Sequence, residues 1–147
     1  MRRHITPRLV VAATVAALFV WLFFDALFRG GMFCFRDAAH YYYPLLKFIA
    51  AEWGGGRVPL WNPYENLGQP LAGNPTAAVF YPGKLIFALP LDFAWAYKIY
   101  VMAHVLLAAA AAYRLARHWD ASVEAAGICA LSYAFCGNVL FQYCNVI

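Results

Sequence analysis

The polar residues best suited to chemistry lie close together near residue 37. Asp37 directly follows Arg36, and His40 comes three residues later, on the same face if this stretch is helical. A carboxylate can take a proton from a hydroxyl group as a general base, or it can hold a divalent cation. Asp37 can equally be the N-cap of a helix, since aspartate is common at that position.

Arginine and aromatic residues in the same region are candidate ligand contacts. The guanidinium groups of Arg36 and Arg57 match phosphate geometry, and contact with lipid headgroups explains them equally well. Trp61 can stack on a ring-shaped ligand, although aromatic side chains also collect at membrane interfaces without any ligand. His40 can assist Asp37 or bind a metal, but Asp-x-x-His alone is weak evidence, and a polar histidine at the interface is the alternative.

The composition of the chain excludes an ordinary soluble domain. Of the 147 residues, 65% are hydrophobic and 12% are charged, whereas a soluble domain is roughly half apolar and about a quarter charged. So much apolar and aromatic content also excludes intrinsic disorder. The net charge of +4 does not indicate nucleic-acid binding, because the basic residues are spread in ones and twos. A membrane protein remains.

Three apolar segments are long enough to cross a bilayer, since about 20 helical residues cover its hydrocarbon core. Arginines at positions 2, 3 and 8 precede the first segment, and arginines at 114 and 117 follow the second. This asymmetry predicts a cytoplasmic N-terminus and a multi-pass protein of the bacterial inner membrane. The predicted segments are a cytoplasmic N-terminus 1–8, a transmembrane helix 9–28, an outer loop 29–92, a transmembrane helix 93–113, a cytoplasmic loop 114–124 and a transmembrane helix 125–147.

The outer loop is predicted to be structured. A helix over about 38–53, bent or restarted by Pro44 and ended by the glycines at 54–56, carries an apolar stripe that would lie flat in the membrane interface. A second short helix over about 83–89 is closed by Pro90. We therefore expect an all-α, polytopic transmembrane protein with about three spans and a structured outer loop that contains an amphipathic interfacial helix.

Two more ionisable residues fall within predicted spans, and ionisable groups there are candidate sites by default. Asp25 is close to the outer end of the first span, where a carboxylate that reaches the outer surface is the preferred interpretation. His104 is near the middle of the second span, where a hydrogen bond between helices is preferred. Cys34 and Cys144 are both predicted near the outer face, where a disulfide between them could form.

A series of short sequence motifs in the outer loop resembles that of a known family. In order, the motifs are Arg36-Asp37, Tyr41-Tyr42-Tyr43-Pro44, Pro59-Leu60-Trp61-Asn62-Pro63, Gly68-Gln69-Pro70, Asn74-Pro75 and Phe80-Tyr81-Pro82. Over roughly residues 10–147, this order resembles the N-terminal part of the bacterial YfhO-like integral membrane proteins. Those proteins are similar to the GT-C class of polyprenyl-phosphate-sugar-dependent glycosyltransferases.

The resemblance implies transfer of a sugar from a polyprenyl-phosphate donor to an acceptor at the outer membrane face. Asp37 matches the essential acidic residue of the first outer loop, as base or, if the reaction is metal-dependent, as ligand to a divalent cation. Arg36, His40, Arg57 and Trp61 are then candidate substrate contacts.

Relatives of that family have many more spans. We therefore expect membrane lipids and the remaining helices of a longer protein as partners, no nucleic acid, and no activity from these residues alone. The alternative function is a non-catalytic multi-pass membrane protein, such as a lipid or polysaccharide export component or a truncated inactive relative.

Overall fold

A computed structural model describes residues 7–33 and 36–141. Within them the chain is mostly helical, and its strands are one antiparallel pair of two residues each, which confirms the predicted helical class. The Cys34–Cys144 disulfide and the end of the third predicted span lie outside the described residues. The elements are α1 (Pro7–Leu22), α2 (Phe24–Phe28), a π-helical turn (Ala38–Tyr42), α3 (Tyr43–Gly54), β1 (Trp61–Asn62), β2 (Gln69–Pro70), a 3₁₀ helix (Pro82–Ala88), α4 (Phe93–His118), α5 (Val123–Ala134) and α6 (Gly137–Phe141).

The chain divides into two compact units, and α4 begins in one and ends in the other. We call residues 7–31 and 102–141 the helical unit, and residues 32–101 the loop unit. Two stretches, Phe93–His118 and Val123–Phe141, are long and apolar enough to cross a membrane. The number of spans and their orientation stay predictions.

The first predicted span is not one continuous helix. α1 ends at Leu22 and α2 starts at Phe24 because Phe23 has φ −98° and ψ 16°, outside the usual helical values. The backbone hydrogen bonds nevertheless continue across the break, from Phe23 N to Phe19 O at 3.0 Å and from Leu27 N to Phe23 O at 2.9 Å. The interruption is therefore a local distortion, and α1 alone, at 16 residues, covers about 24 Å.

Small residues bring α1 and α5 together in the helical unit. The buried residues of α5 are Ala126, Gly127, Ala130 and Ala134. A Cβ atom built on Gly127 would lie only 2.5 Å from Cγ2 of Val11 in α1. Glycine is therefore needed for this close approach, as is usual where helices pack through small residues.

Local signals set the ends of the long helices. The Asp92 carboxylate accepts a hydrogen bond from Trp95 N at 3.3 Å and so caps the start of α4. α4 then continues to His118, five residues past its predicted end at 113. The Ser122 hydroxyl accepts from Ala125 N at 3.2 Å and starts α5.

The loop unit has a hydrophobic core of its own. Leu46 and Ile49 of α3 are fully buried, together with Leu71, Ala77 and Tyr97. The apolar face of α3 packs into this core, where burial removes it from water as lipid would, and the position of this helix at the membrane interface stays a prediction.

The start and end of α3 follow the predicted signals. The π-helical turn gives way to regular α-helix at Tyr43, with Pro44 in the first turn, where its missing N–H costs no helical hydrogen bond. α3 ends at Gly54, and Gly56 has φ +71°, a value that favours glycine.

Candidate functional site

The loop unit contains a cleft of about 450 Å³ between the start of α3 and the turn after β1. A cleft of this size falls within the range of about 300–1,000 Å³ that is typical of small-molecule sites. Its lining combines aromatic rings with a histidine, an amide and a carboxylate. The lining residues are His40, Tyr41, Pro44, Leu45, Phe48, Asn62, Tyr64 and Glu65.

A turn organised by Asn62 forms one wall of the cleft. The Asn62 side chain is buried, its Oδ1 accepts from Tyr64 N at 3.0 Å, and its Nδ2 donates to Glu65 Oε2 at 3.4 Å. Asparagine commonly holds such a turn by bonding the backbone two residues on. One amide therefore sets the positions of both Tyr64 and Glu65.

An exposed aromatic ring stands on this wall. Tyr64 is 85% exposed, yet its ring makes an edge-to-face contact with Phe48 of α3, with centroids 5.7 Å apart. Such a contact orients a ring without covering it. Tyr64 therefore offers a flat apolar surface next to the Glu65 carboxylate, and rings of this kind stack on the apolar faces of ring-shaped ligands.

The opposite wall begins with the π-helical turn. His40 is exposed and lines the cleft beside Tyr41, whose ring packs edge-to-face on Tyr42 at 5.2 Å. Single π-helical turns occur frequently at functional sites because they redirect side chains. Of the five residues proposed from the sequence, His40 is the one that lines this cleft.

Asp37 and Arg36 directly precede this wall, and both are exposed. Asp37 has helical dihedrals, φ −63° and ψ −27°, and its side chain makes no capping hydrogen bond, which corrects the expected N-cap role. Arg36 has φ 51°, an uncommon value for a residue with a side chain.

The charge of Asp37 affects the pKa of a buried neighbour, Tyr42. Burial, together with the neighbouring Tyr41 and Asp37, raises the pKa of the Tyr42 hydroxyl. The Asp37 carboxylate is thus close to the π-helical turn that forms one wall of the cleft, and it is not occupied as a cap.

Arg57 is held elsewhere. Its Nε and Nη2 donate to the two carboxylate oxygens of Glu52 at 3.0 and 2.7 Å. This hydrogen-bonded pair lowers the pKa of the Glu52 carboxyl and raises the pKa of the Arg57 guanidinium. Since Glu52 lies nine residues after Tyr43, the pair is about 14 Å along α3 from its start. The structure does not bring Arg57 to the residues that line the cleft.

Trp61 lies next to the cleft in sequence but does not line it. It alternates with Asn62 along β1, and successive strand residues point to opposite faces. Its half-exposed ring covers Gly68, which has φ +112° and no room for a Cβ atom. Trp61 therefore packs on the turn before β2, while Asn62 is buried at the cleft.

Three residues that the structure makes prominent were not proposed from the sequence. From the sequence, Asn62 is only part of the Pro59–Pro63 motif, and nothing singles out Tyr64 or Glu65. The Asn-Pro dipeptide at 62–63 was an available signal, because asparagine in a turn can orient the residues that follow it. No local pattern indicates that Glu65 faces a cleft with His40.

Lys84 is a further residue that the sequence did not indicate. It is 1% exposed, and its Nζ donates to the carbonyl oxygen of Ala77 and, at 3.4 Å, to that of Thr76. Burial lowers the pKa of the Lys84 ammonium to about 8. This lysine ties the 3₁₀ helix to the preceding loop from inside the loop unit.

The remaining ionisable residues proposed from the sequence lie outside the cleft. Asp25 is exposed and forms an ion pair with Arg29 at 3.3 Å within the helical unit. His104 is half-buried on α4. Among residues 7–33 and 36–141, no three His, Cys, Asp or Glu side chains are grouped closely enough to hold a metal ion.

Comparison with known proteins does not identify a relative that shares this cleft. We found no family model, curated protein or solved structure that matches the chain. The likeness to YfhO-like proteins therefore stays a prediction.

Proposed function

We propose that the chain is the N-terminal part of a GT-C-like membrane glycosyltransferase, related to the YfhO-like proteins. In this proposal, α4 and the Val123–Phe141 stretch cross the bacterial inner membrane and the loop unit lies on its outer side. The observation that carries the proposal is the cleft, because it combines an exposed Tyr64 ring with the polar groups of His40, Asn62 and Glu65. Saccharides are bound by this combination, since their rings have apolar faces and polar edges.

Asp37 is the proposed general base. Its carboxylate takes the proton of the acceptor hydroxyl while that oxygen forms a bond to the anomeric carbon of the donor sugar. The bond between the anomeric carbon and the phosphate oxygen breaks, and polyprenyl phosphate leaves with the electron pair. The exposed carboxylate, which makes no capping bond, supports this role, because a base must reach the hydroxyl directly. A divalent cation on Asp37 is the metal-dependent version of the same proposal.

Arg36 and Arg57 have different roles in this scheme. Arg36 is exposed and adjacent to Asp37, so its guanidinium can bind the phosphate of the donor. Arg57 is engaged by both oxygens of Glu52, and we assign it to the shape of the turn after α3. His40 is proposed as an acceptor contact, while Trp61 supports the turn opposite.

The test compares two aspartates in the full-length gene product, assayed in bacterial membranes. Polyprenyl-phosphate-linked radioactive hexoses are supplied, and release of free polyprenyl phosphate and transfer of label are measured. We expect Asp37→Asn to lower turnover by at least about 100-fold, the usual contribution of a general base. Asp25→Asn is the matched control, because Asp25 is an exposed aspartate of the helical unit paired with Arg29, and it should leave turnover unchanged. Equal turnover by Asp37→Asn and the parent would exclude Asp37 as the base.

The cleft is tested separately from the chemistry. Saturation-transfer-difference NMR with a panel of mono- and disaccharides should show binding that Tyr64→Ala and Glu65→Gln weaken. Binding of this kind without any donor turnover in the full-length protein would favour the alternative, a non-catalytic saccharide-handling membrane protein. Absence of saccharide binding would remove the basis of both.

A further inference from the structure

The helical unit contains a second concave surface, which the proposed function does not use. A groove of about 520 Å³ runs between α1, α4 and α5. Five alanines line it: Ala12, Ala16, Ala109, Ala110 and Ala130. Because alanine side chains are short, they leave open the space that larger residues would fill between packed helices.

The groove is apolar along its length and basic at one end. Arg8, in the first turn of α1, and Arg114, near the end of α4, both line it, next to Tyr113. No acidic residue is among the described residues that line the groove. Glu124 lines a neighbouring groove, and the charge of Arg117 acts on it.

The two arginines have no carboxylate partner in the described part of the chain. The ion pairs there are Asp25–Arg29 and Glu52–Arg57. Two guanidinium groups lie at one end of an apolar groove. In charge and polarity they are complementary to a ligand with an anionic head and a hydrocarbon tail. A guanidinium group also suits phosphate, which it can bind through two parallel hydrogen bonds.

We propose that this groove binds a membrane lipid with an anionic phosphate headgroup. One acyl chain lies along the alanines, and the phosphate lies between Arg8 and Arg114. The proposal depends on membrane insertion of the helical unit but not on glycosyl transfer. It concerns the leaflet that contains the N-terminal end of α1, and the lipid is a bound structural partner.

Charge favours a lipid over a second copy of the chain as the occupant. In a symmetric dimer through this groove, the same surface of both copies would meet. The arginines of one copy would then approach those of the other in a low-dielectric environment, where like charges repel strongly. An anionic lipid neutralises both arginines, and its acyl chain packs against the apolar lining of the groove.

Native mass spectrometry of the purified full-length gene product tests the proposal. The protein in detergent is titrated with phosphatidylglycerol and, in parallel, with phosphatidylcholine of the same acyl chains. We expect the phosphatidylglycerol complex to be the tighter one. Because each arginine near a membrane surface contributes about fivefold to anionic-lipid affinity, Arg8→Gln with Arg114→Gln should weaken the phosphatidylglycerol complex by about 30-fold.

Two further variants separate the groove from general surface charge. Arg29→Gln with Arg117→Gln removes the same net charge at exposed arginines that do not line the groove, and it should retain phosphatidylglycerol binding. Ala12→Leu with Ala110→Leu fills the groove but keeps both arginines, and it should reduce binding of both lipids. Circular dichroism confirms that each variant keeps its helical content, and Arg8→Lys with Arg114→Lys provides a charge-preserving form.

Four results would overturn the proposal. Equal affinity for the two lipids would show that the arginines do not select the headgroup. Equal weakening by the two double-arginine variants would show a diffuse charge effect. Unchanged lipid binding in Ala12→Leu with Ala110→Leu, or a protein dimer that this variant abolishes, would assign the groove to a different occupant.

Discussion

Lys84 should make the stability of the loop unit depend on pH in an unusual direction. Lys84 is 1% exposed, and its ammonium group donates hydrogen bonds to the carbonyl oxygens of Ala77 and Thr76. Burial lowers its pKa from the ordinary 10.5 to about 8. Between these two values the unfolded chain holds a proton that the folded chain has released. Stability therefore rises with pH in this window, since the unfolded state binds more protons.

The size of the effect follows from the two pKa values. Raising the pH from about 7 to about 9.5 should stabilise the folded loop unit by about 2 kcal/mol through Lys84. The pKa of Tyr42 is raised by burial, so above its ordinary pKa of about 10 the folded chain keeps a proton that the unfolded chain loses. Tyr42 therefore lowers the stability of the loop unit as the pH rises above about 10. The comparison is therefore kept below that pH.

The assay compares unfolding of the parent chain with that of Lys84→Met in mild detergent. Methionine has a similar length and no titratable group. The effect of pH on all other groups therefore cancels in the difference between the two free energies of unfolding. From about pH 7 to about pH 9.5, we expect the free energy of unfolding of the parent to rise by about 2 kcal/mol relative to that of Lys84→Met. Lys47→Met, at an exposed lysine of α3, should show no such trend. A constant difference between the parent and Lys84→Met over this range would refute a depressed pKa for Lys84.

Two further predictions concern packing and the cleft. Gly127→Ala should destabilise the helical unit by about 1–3 kcal/mol through overpacking against Val11, despite alanine's better helix propensity. Gly137→Ala should not, because no atom lies within 4 Å of a Cβ built there. Thermal unfolding followed by circular dichroism measures both variants, and equal stability of the two would contradict the close approach of α1 and α5. Asn62→Ala and Asn74→Ala each remove an amide that accepts from a backbone N–H two residues on, so each should cost about 1 kcal/mol. Only Asn62→Ala should weaken saccharide binding by NMR, and equal loss in both would show that the cleft is not organised by Asn62.

Features governed by neighbouring residues were predictable. Asp92 caps α4 because its carboxylate needs only the backbone three residues on. Pro44 lies in the first turn of α3, and the glycines after residue 53 end that helix, since both act through local backbone geometry. The distortion at Phe23 was not predicted, because no proline or glycine marks it.

The parts of the candidate site that the sequence did not predict depend on how the chain folds back on itself. The apolar face of α3 packs against segments of the loop unit that its own periodicity does not identify. Arg57 is a candidate for phosphate or headgroup contact by residue type, and the turn after α3 brings its guanidinium onto Glu52. Amphipathic periodicity shows that a face is buried, not what buries it.

By itself the sequence determined a mostly helical chain, since composition and periodicity depend on residues close in the chain. Of its three predicted spans, the described residues contain two helical stretches long and apolar enough to cross a membrane. It also identified Asp37 and His40 as neighbours on one helical segment. Only the tertiary structure decided that His40 lines the same cleft as Tyr64 and Glu65, that Lys84 is buried, and that Arg8 and Arg114 line one groove. His40 and Glu65, like Arg8 and Arg114, are far apart in the chain, and the packing of whole elements places each pair along one cavity.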